Sequence, residues 1–192
     1  VVNPDKTVEE YGTDSMRIYE MFMGPLDKAK PWSATGLQGC SRFIKKLWSI
    51  LVDDDGTISK KITDIDNDEE TLQSLHVMIK KVSNNLDQLH FNTCVSEFMI
   101  FTNHLQKLES INKNTVRTFI ILMNPFMPHL AQELWELIGE TSELTFEAWP
   151  TYDEALIVLN EIVIPIQING KRRSEIAIAA NQSEYEVIEK AK

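Results

Sequence analysis

The chain has 192 residues, a formal net charge of −10 and a hydrophobic content of 43%, which suits one or two globular domains with a substantial core. It contains no apolar run that approaches the roughly 20 residues of a membrane span. The excess of acid argues against a surface coated by nucleic acid, although a local basic face would still suit RNA.

The opening residues predict two short helices. They have neither the positively charged start nor the apolar stretch of a secretory signal, and they lack an initiator Met, so we expect an internal fragment. The Asn-Pro pair at positions 3 and 4 predicts a helix start, and Gly12 predicts an end after Tyr11. Thr13 or Asp14 is the expected cap of a second helix over residues 15–23, which a Gly-Pro pair ends.

Residues 35–52 have the period of a long amphipathic helix. Arg42, Lys45 and Lys46 lie at i, i+3 and i+4, so they share the polar face. Most amphipathic helices have a solvated face of this kind. The opposite stripe consists of Cys40, Phe43, Ile44, Leu47, Trp48 and Leu51.

A polar linker over residues 53–68 leads to two further apolar patterns. Both keep steps of 3 and 4, which predicts packed antiparallel helices over residues 69–90 and 92–109, with Asn92 as the cap of the second. Their stripes are Leu72, Leu75, Ile79, Val82, Leu86 and Leu89, and then Cys94, Phe98, Phe101, Leu105 and Leu108.

Residues 114–138 predict two helices joined by a Pro-x-x-Pro elbow. Pro125 disfavours helical geometry at Asn124, which should end the first helix, and Pro128 suits the first turn of the second. Gly139 suits the left-handed conformation that closes a helix. Because the elbow is apolar over most of its surface, we expect it at the centre of a helical bundle. Its apolar residues are Val116, Phe119, Ile120, Ile121 and Met123, and then Leu130, Leu134, Trp135, Leu137 and Ile138.

The spacing of the apolar residues is no longer helical after Gly139. Residues 144–150 predict an irregular, strand-like connector, and two β-branched segments, 162–168 and 176–178, flank an Asn-Gly pair at positions 169–170, the strongest short hairpin signal. A helix is expected from residues 181–183 through Val187.

Several segments resemble class I aminoacyl-tRNA synthetases. The elbow NPFMPHLAQELW resembles the "PFxPHxxEELW" segment of the helical domain in the leucine, valine and isoleucine group. VVNPDKTVEEYGTDSMRIYEMFMGPLDKAKPW resembles the segment that follows the KMSKS signature in bacterial-type leucyl-tRNA synthetases, and MFMGP with a Trp eight residues after the Gly is specific to the leucine enzymes. HFNTCVSEFM, the AWP connector and the hairpin INGKRR are similar to family segments in the same order.

The resemblance implies a mainly α protein. Residues 1–33 would be a helical segment following the catalytic domain, and residues 34–150 a helical bundle of the class I anticodon-binding type. A linker at residues 151–160 would lead to a small α+β tRNA-binding domain that starts at 161–192 and is incomplete.

The resemblance also implies a function. The parent would attach leucine to its tRNA with ATP and Mg²⁺ in the cytoplasm, as a monomer, with no membrane or DNA partner. The chain has no HIGH or KMSKS signature, so we expect it to be catalytically silent and to hold tRNA. The alternative is a helical protein-interaction scaffold with an appended hairpin, which the acidic charge suits better.

The resemblance suggests RNA contact by Arg42, Lys45 and Lys46, with a plain solvated face as the alternative. Lys171 and Arg173 match the family's Lys and Arg, and the resemblance implies that the small domain that contains them meets the outer corner of tRNA. Strand alternation would send both to one face and the unmatched Arg172 to the other, and Glu175 also departs from the family. The alternative is a basic guard of an exposed strand edge.

Arg17 and the two cysteines carry further expectations. Arg17 would brace the missing KMSKS loop, with an ordinary surface or ion-pairing role as the alternative. Cys40 and Cys94 predict buried thiols in a reducing compartment. His90 and Cys94 at i, i+4 would supply only two ligands, so no metal site is predicted.

Overall fold

The structure is a computed structural model that describes residues 2–157, 161–168, 171–179 and 187–188. The chain divides into two compact units, Val1–Asp153 and Glu154–Lys192. The first is a bundle of seven described α-helices and the second holds a β-hairpin, so the predicted mainly α fold with a small C-terminal α+β piece is confirmed. None of the described helices has the length and apolar character that a membrane span requires.

The first unit begins with helices α1 (Pro4–Tyr11), α2 (Thr13–Phe22) and α3 (Ala34–Leu51). Asn3 caps α1 through its side chain and Gly12 ends it, as predicted. The predicted side-chain cap of α2 is wrong, because Gly12 occupies the N-cap and no side chain bonds there. Asp14 lies inside the first turn and directs its carboxylate to another helix.

The start of α3 packs closely on α2. The Tyr19 hydroxyl accepts a hydrogen bond from the Ser33 amide at 2.6 Å, and the Tyr19 ring meets Trp32 edge-on at 4.9 Å. A Cβ at Gly36 would lie 2.8 Å from the Tyr19 ring, so glycine is what allows this approach. Ser33 then caps α3 by accepting from the Gly36 amide.

The predicted linker is partly ordered as β-structure. Val52 and Ile58 form an antiparallel bridge, and strand β1 (Ile62–Thr63) pairs in parallel with β2 (Ile111–Asn112). The sequence pattern missed this two-residue sheet because a pair so short leaves no period to count.

Helices α4 (Glu69–Asp87) and α5 (Phe91–Lys107) form an antiparallel pair. Two sequence expectations are wrong at their turn. Leu89 is 58% exposed with φ of 59°, because α4 ends before it. Asn92 lies within α5, whose N-cap is His90 without a side-chain bond. The other stripe residues of α5 up to Leu105 are buried.

The apolar faces beside the elbow are buried as predicted, and the turn itself buries Phe126 and Met127 while Pro125 is exposed. Helix α6 (Lys113–Met123) and helix α7 (Pro128–Leu137) flank the elbow, and Gly139 adopts φ of 87° just beyond α7. The rings of Phe98, Phe101, Phe119 and Phe126 meet in edge-on and tilted pairs between α5 and the elbow, with centroids 5.1–6.0 Å apart. Leu134 and Trp135 are fully buried. Helix α5 shares the centre, since it packs against α2, α3 and α4.

The connector after α7 is not strand-like. Leu144–Phe146 is a 3₁₀ turn, and the following residues lie along α4 in extended form. Trp149 Nε1 donates to Ser83 Oγ at 2.9 Å and the Asp153 amide donates to His76 Nδ1 at 2.9 Å. The expectation was wrong at Leu144–Phe146, because the Phe146 and Glu147 amides donate to the carbonyl oxygens of Glu143 and Leu144 and so close a 3₁₀ turn.

The second unit contains a short helix, α8 (Glu154–Ile157), and the antiparallel strands β3 (Glu161–Ile168) and β4 (Lys171–Ala179). The strands confirm the hairpin, while the predicted Asn-Gly turn at 169–170 and most of the helix expected from 181 lie outside the described residues. The register shifts by one residue: Gln167 pairs with Arg172 and Ile166 with Ser174. Arg173 is the extra residue, so strict alternation does not carry across this bulge.

Candidate nucleic-acid interface

The clearest concentration of positive charge among the described residues is on α3. This helix has three cations and no carboxylate over eighteen residues. Arg42 and Lys45 are exposed on the side away from the buried stripe. Among the described residues neither forms an ion pair, so both charges face solvent.

Lys46 joins α3 to α5. Its Nζ donates to Asn103 Oδ1 at 2.6 Å, and the side chain is half-buried rather than free. The bond brings the polar faces of the two helices together at one point. Lys107 lies four residues beyond Asn103, on the same side of α5, and is exposed. Ile100, 57% exposed, lies three residues before Asn103.

The single carboxylate of α5 does not weaken this surface. Glu97 is only 11% exposed and pairs with Lys81 of α4 at 3.1 Å. Its charge is therefore partly neutralised on the side of α5 that meets α4. We call Arg42, Lys45, Lys46, Asn103 and Lys107 the basic face. In the described helices α3 and α5, which carry this face, the only carboxylate is that of Glu97, and it is paired.

Three other residues were singled out in the sequence, namely Arg17, Lys171 and Arg173. Arg17 donates from its guanidinium to the carbonyl oxygens of Pro125 at 2.8 Å and Phe126 at 3.3 Å, so it lies against the elbow. Lys171 lies opposite Ile168 in the hairpin register and Arg173 is the bulged residue. The side chains of Lys171 and Arg173 lie outside the described part of the structure, so their predicted RNA contacts stay predictions.

Both cysteines are buried free thiols, as predicted. Burial raises the pKa of Cys40 and of Cys94 to about 11, so neither is a reactive thiolate near neutral pH. Cys94 Sγ donates to the carbonyl oxygen of Val82 at 3.6 Å inside the core, whereas His90 is exposed. The two side chains therefore point into different surroundings.

Comparison with known proteins decides the family. Residues 68–189, more than half of the chain, match the family described as the anticodon-binding domain of tRNA ligase. The chain belongs to this family. The match begins at the cap of α4, so α4 to α7 and the hairpin are the family's elements, and the basic face lies where α5 of the family domain meets α3.

A solved structure is similar over the whole chain. It is the ternary complex of the Agrobacterium radiobacter K84 agnB2 LeuRS with tRNA and LeuAMS, 27% identical, with a TM-score of 0.71 and 100% of this chain covered. The chain spans 26% of that protein's length.

Sequence reasoning found the three cations of α3 but missed their neighbours on α5. Asn103 and Lys107 are one turn apart on the side of α5 opposite the Phe98 stripe. The absence of any acid other than Glu97 in this helix was a usable signal, because solvated faces usually mix both charges. That Glu97 pairs with Lys81 was not visible, since it depends on how α4 and α5 pack.

Proposed function

We propose that this chain is the tRNA-binding C-terminal part of a leucine–tRNA ligase. Membership of the anticodon-binding family and the full-length similarity to a synthetase solved with tRNA support the proposal. The observation that carries the binding role is the acid-free helix α3, which exposes Arg42 and Lys45 in a chain of net charge −10.

The chemistry of the basic face suits a phosphate backbone. Arg42 and Lys45 lie about one helical turn apart, so they can meet phosphates of one strand or of two strands across a groove. The guanidinium can bind a phosphate bidentately, whereas the ammonium acts as a point charge. The overall acidity of the molecule disfavours RNA on its acid-rich surfaces and so favours an orientation in which the basic segments meet the RNA.

Salt-dependent tRNA binding by the Arg42→Ala/Lys45→Ala variant tests this role. We expect weaker binding and a salt slope reduced by up to about 2 units, because each phosphate contact contributes about one. The matched control is Lys6→Ala/Lys60→Ala, which removes the same charge from two exposed lysines: Lys6 follows Asp5 in the sequence, and the Lys60 amide donates to the Asp53 carboxylate. Unchanged affinity and slope for the first variant would leave a protein-interaction scaffold as the better account of this surface.

The hairpin and Arg17 belong to the same proposal. Lys171 and Arg173 would add phosphate contacts, so replacing both by Ala in the full-length protein should reduce the salt slope by up to about 2 units. An unchanged slope would make them guards of a strand edge. Arg17 would also brace a KMSKS loop next to α2, and an Arg17→Ala enzyme with normal leucine activation would remove that role.

The activity of the whole ligase would depend on residues beyond these 192. We propose that the parent is a cytoplasmic monomer that uses ATP and Mg²⁺ to activate leucine. The sequence contains no HIGH or KMSKS signature, so residues 1–192 alone should show no leucine-dependent exchange of pyrophosphate into ATP. Exchange above background would contradict this assignment.

A further inference from the structure

Two polar side chains of α2 bind the elbow between α6 and α7. Asp14 accepts from the Leu130 amide at 2.7 Å through Oδ2, and its Oδ1 lies 2.8 Å from His129 Nδ1. Arg17, three residues later on the same side of α2, donates to the carbonyl oxygens of Pro125 and Phe126. All four bonds fall within residues 125–130, and we call Asp14 and Arg17 the clamp.

The clamp supplies what the elbow cannot supply locally. The residue at the N-cap of α7 is Met127, whose side chain forms no cap bond. The first-turn amide of Leu130 would be without a partner, and the Asp14 carboxylate provides one together with a negative charge at the positive end of the helix. Arg17 satisfies the carbonyl oxygens of Pro125 and Phe126, which lie in the break between α6 and α7.

The same helix contacts the start of α3 on its other polar side. The Tyr19 hydroxyl accepts the Ser33 amide, and Ser33 caps α3. Burial of Ile18 and Tyr19 anchors α2 in the core, and hydrogen bonds add a geometric requirement that hydrophobic burial alone does not have. Directional bonds at both ends therefore fix α3 with respect to the elbow.

We infer that Asp14 and Arg17 are positioning residues for RNA binding: they hold α2 on the elbow, and through α2 they set the position of the basic face on α3. This inference rests on the proposed tRNA-binding function. It assigns to the clamp an effect on phosphate contacts that neither residue makes itself.

A double-mutant cycle on tRNA affinity tests the inference in the full-length protein. The clamp variant is Asp14→Ala/Arg17→Ala and the face variant is Arg42→Ala/Lys45→Ala. We expect the clamp variant to bind tRNA at least roughly threefold more weakly, with a salt slope reduced by about 1 unit. In the face variant the clamp substitutions should then change affinity by less than about twofold, because coupled residues are not additive.

Conservative variants and a control keep the test independent of folding. Asp14→Asn keeps an oxygen that can accept from Leu130 and an amide that can donate to His129, so it should restore most of the affinity lost in Asp14→Ala. Glu10→Ala, an exposed acid of α1, should have no effect. If the clamp variant loses helical circular dichroism, Asp14→Ala and Arg17→Lys are tested singly in the same cycle.

The possible outcomes distinguish this inference from the proposed tRNA-binding function on which it rests. If the face variant binds tRNA normally, the basic face is not the RNA site and the inference falls with it. If the face variant is weakened while the clamp variant binds normally, or if the two effects simply add, the proposed function stands and the positioning role is overturned.

Discussion

The two turns that join consecutive long helices are held in opposite ways. At the elbow, two prolines restrict the backbone, Phe126 and Met127 are buried, and distant side chains from α2 satisfy the freed backbone groups. At the α4–α5 turn, Leu89 adopts a left-handed conformation in solvent and the N-cap His90 forms no side-chain bond.

The difference shows what allows a helix turn to be buried. A turn leaves amides and carbonyls unpaired, and these groups must find partners before water is removed. The elbow finds them on Asp14 and Arg17, more than one hundred residues away in sequence. The α4–α5 turn has no such partners among the described residues and stays at the surface.

The largest expected effect comes from the buried face of α7, the helix that follows the elbow. Leu134→Ala should lower the free energy of unfolding by about 2–5 kcal/mol, because Leu134 is fully buried and truncation leaves a cavity. The same substitution at exposed Leu89 is the control and should cost less than about 0.5 kcal/mol. Urea unfolding measures both, and similar values for the two would show that the elbow is no more central than the α4–α5 turn.

The next effect concerns the helix caps. Asp14→Ala should lower the free energy of unfolding by about 1 kcal/mol, since it removes the cap of α7. His90→Ala removes the N-cap side chain of α5 and should change little, because that side chain bonds to nothing in the turn. If the urea midpoint falls further for His90→Ala than for Asp14→Ala, the side chain at the α4–α5 turn contributes more to stability than the one that supports the elbow, which would contradict the prediction.

A smaller change, this time a gain in the free energy of unfolding, is expected at the α4–α5 turn, where Leu89 has a positive φ. Leu89→Asn should raise the free energy of unfolding by up to about 1 kcal/mol, because Asn tolerates the left-handed region better than Leu. Gln88→Asn is the control, since Gln88 has a φ of −91° and gains nothing. Thermal unfolding at constant pH measures the shift, and a loss of stability in Leu89→Asn would mean that Leu89 makes a contact worth more than the strain.

Acid pH should lower the free energy of unfolding of the bundle through two carboxylates, those of Asp68 and Glu147. Hydrogen bonds from Thr71 hold the pKa of Asp68, the cap of α4, below its ordinary value of 3.8, and the bond from Ser142, with Arg117, lowers the pKa of Glu147 from 4.5. Because both values are depressed on folding, their stabilisation is complete above the ordinary values and is lost as the pH falls through the lowered ones.

Asp68→Asn checks the acid effect, because Asn caps a helix equally well without titrating. The variant should show a flatter decline in urea midpoint below about pH 4 than the parent chain. Asp27→Asn, at an exposed site whose side chain has no hydrogen bond to any of the described residues, should leave the decline unchanged. An identical decline in all three proteins would assign the acid sensitivity to other groups.

Sequence reasoning succeeded where the signal was local or periodic. Pro125, Pro128 and Gly139 marked the elbow, and steps of 3 and 4 found the buried faces of α3, α5 and α6. It failed where a side chain acts at a distance: Asp14 looked like a cap for its own helix and instead caps α7. Leu89 was predicted to extend the apolar stripe of α4, but the helix ends at Asp87, and no Gly or Pro nearby in the sequence indicates this end.

The candidate site was predictable only in part, for the same reason. Arg42 and Lys45 were visible from the spacing of α3, but their freedom from acidic partners depends on what packs beside them. Lys46 was predicted as an equal member of the row, yet its bond to Asn103 gives it a second role that spacing cannot show.

The two-residue sheet has a consequence for the order of folding. Ile62 pairs with Ile111 across the whole α4–α5 hairpin, so the two strands cannot meet until that hairpin has brought its ends together. Closing so long a loop is entropically costly, while the helices between them form from local contacts. The sheet should therefore form late in folding, after the transition state. Substitutions at Ile111 should then speed unfolding while leaving the rate of refolding nearly unchanged.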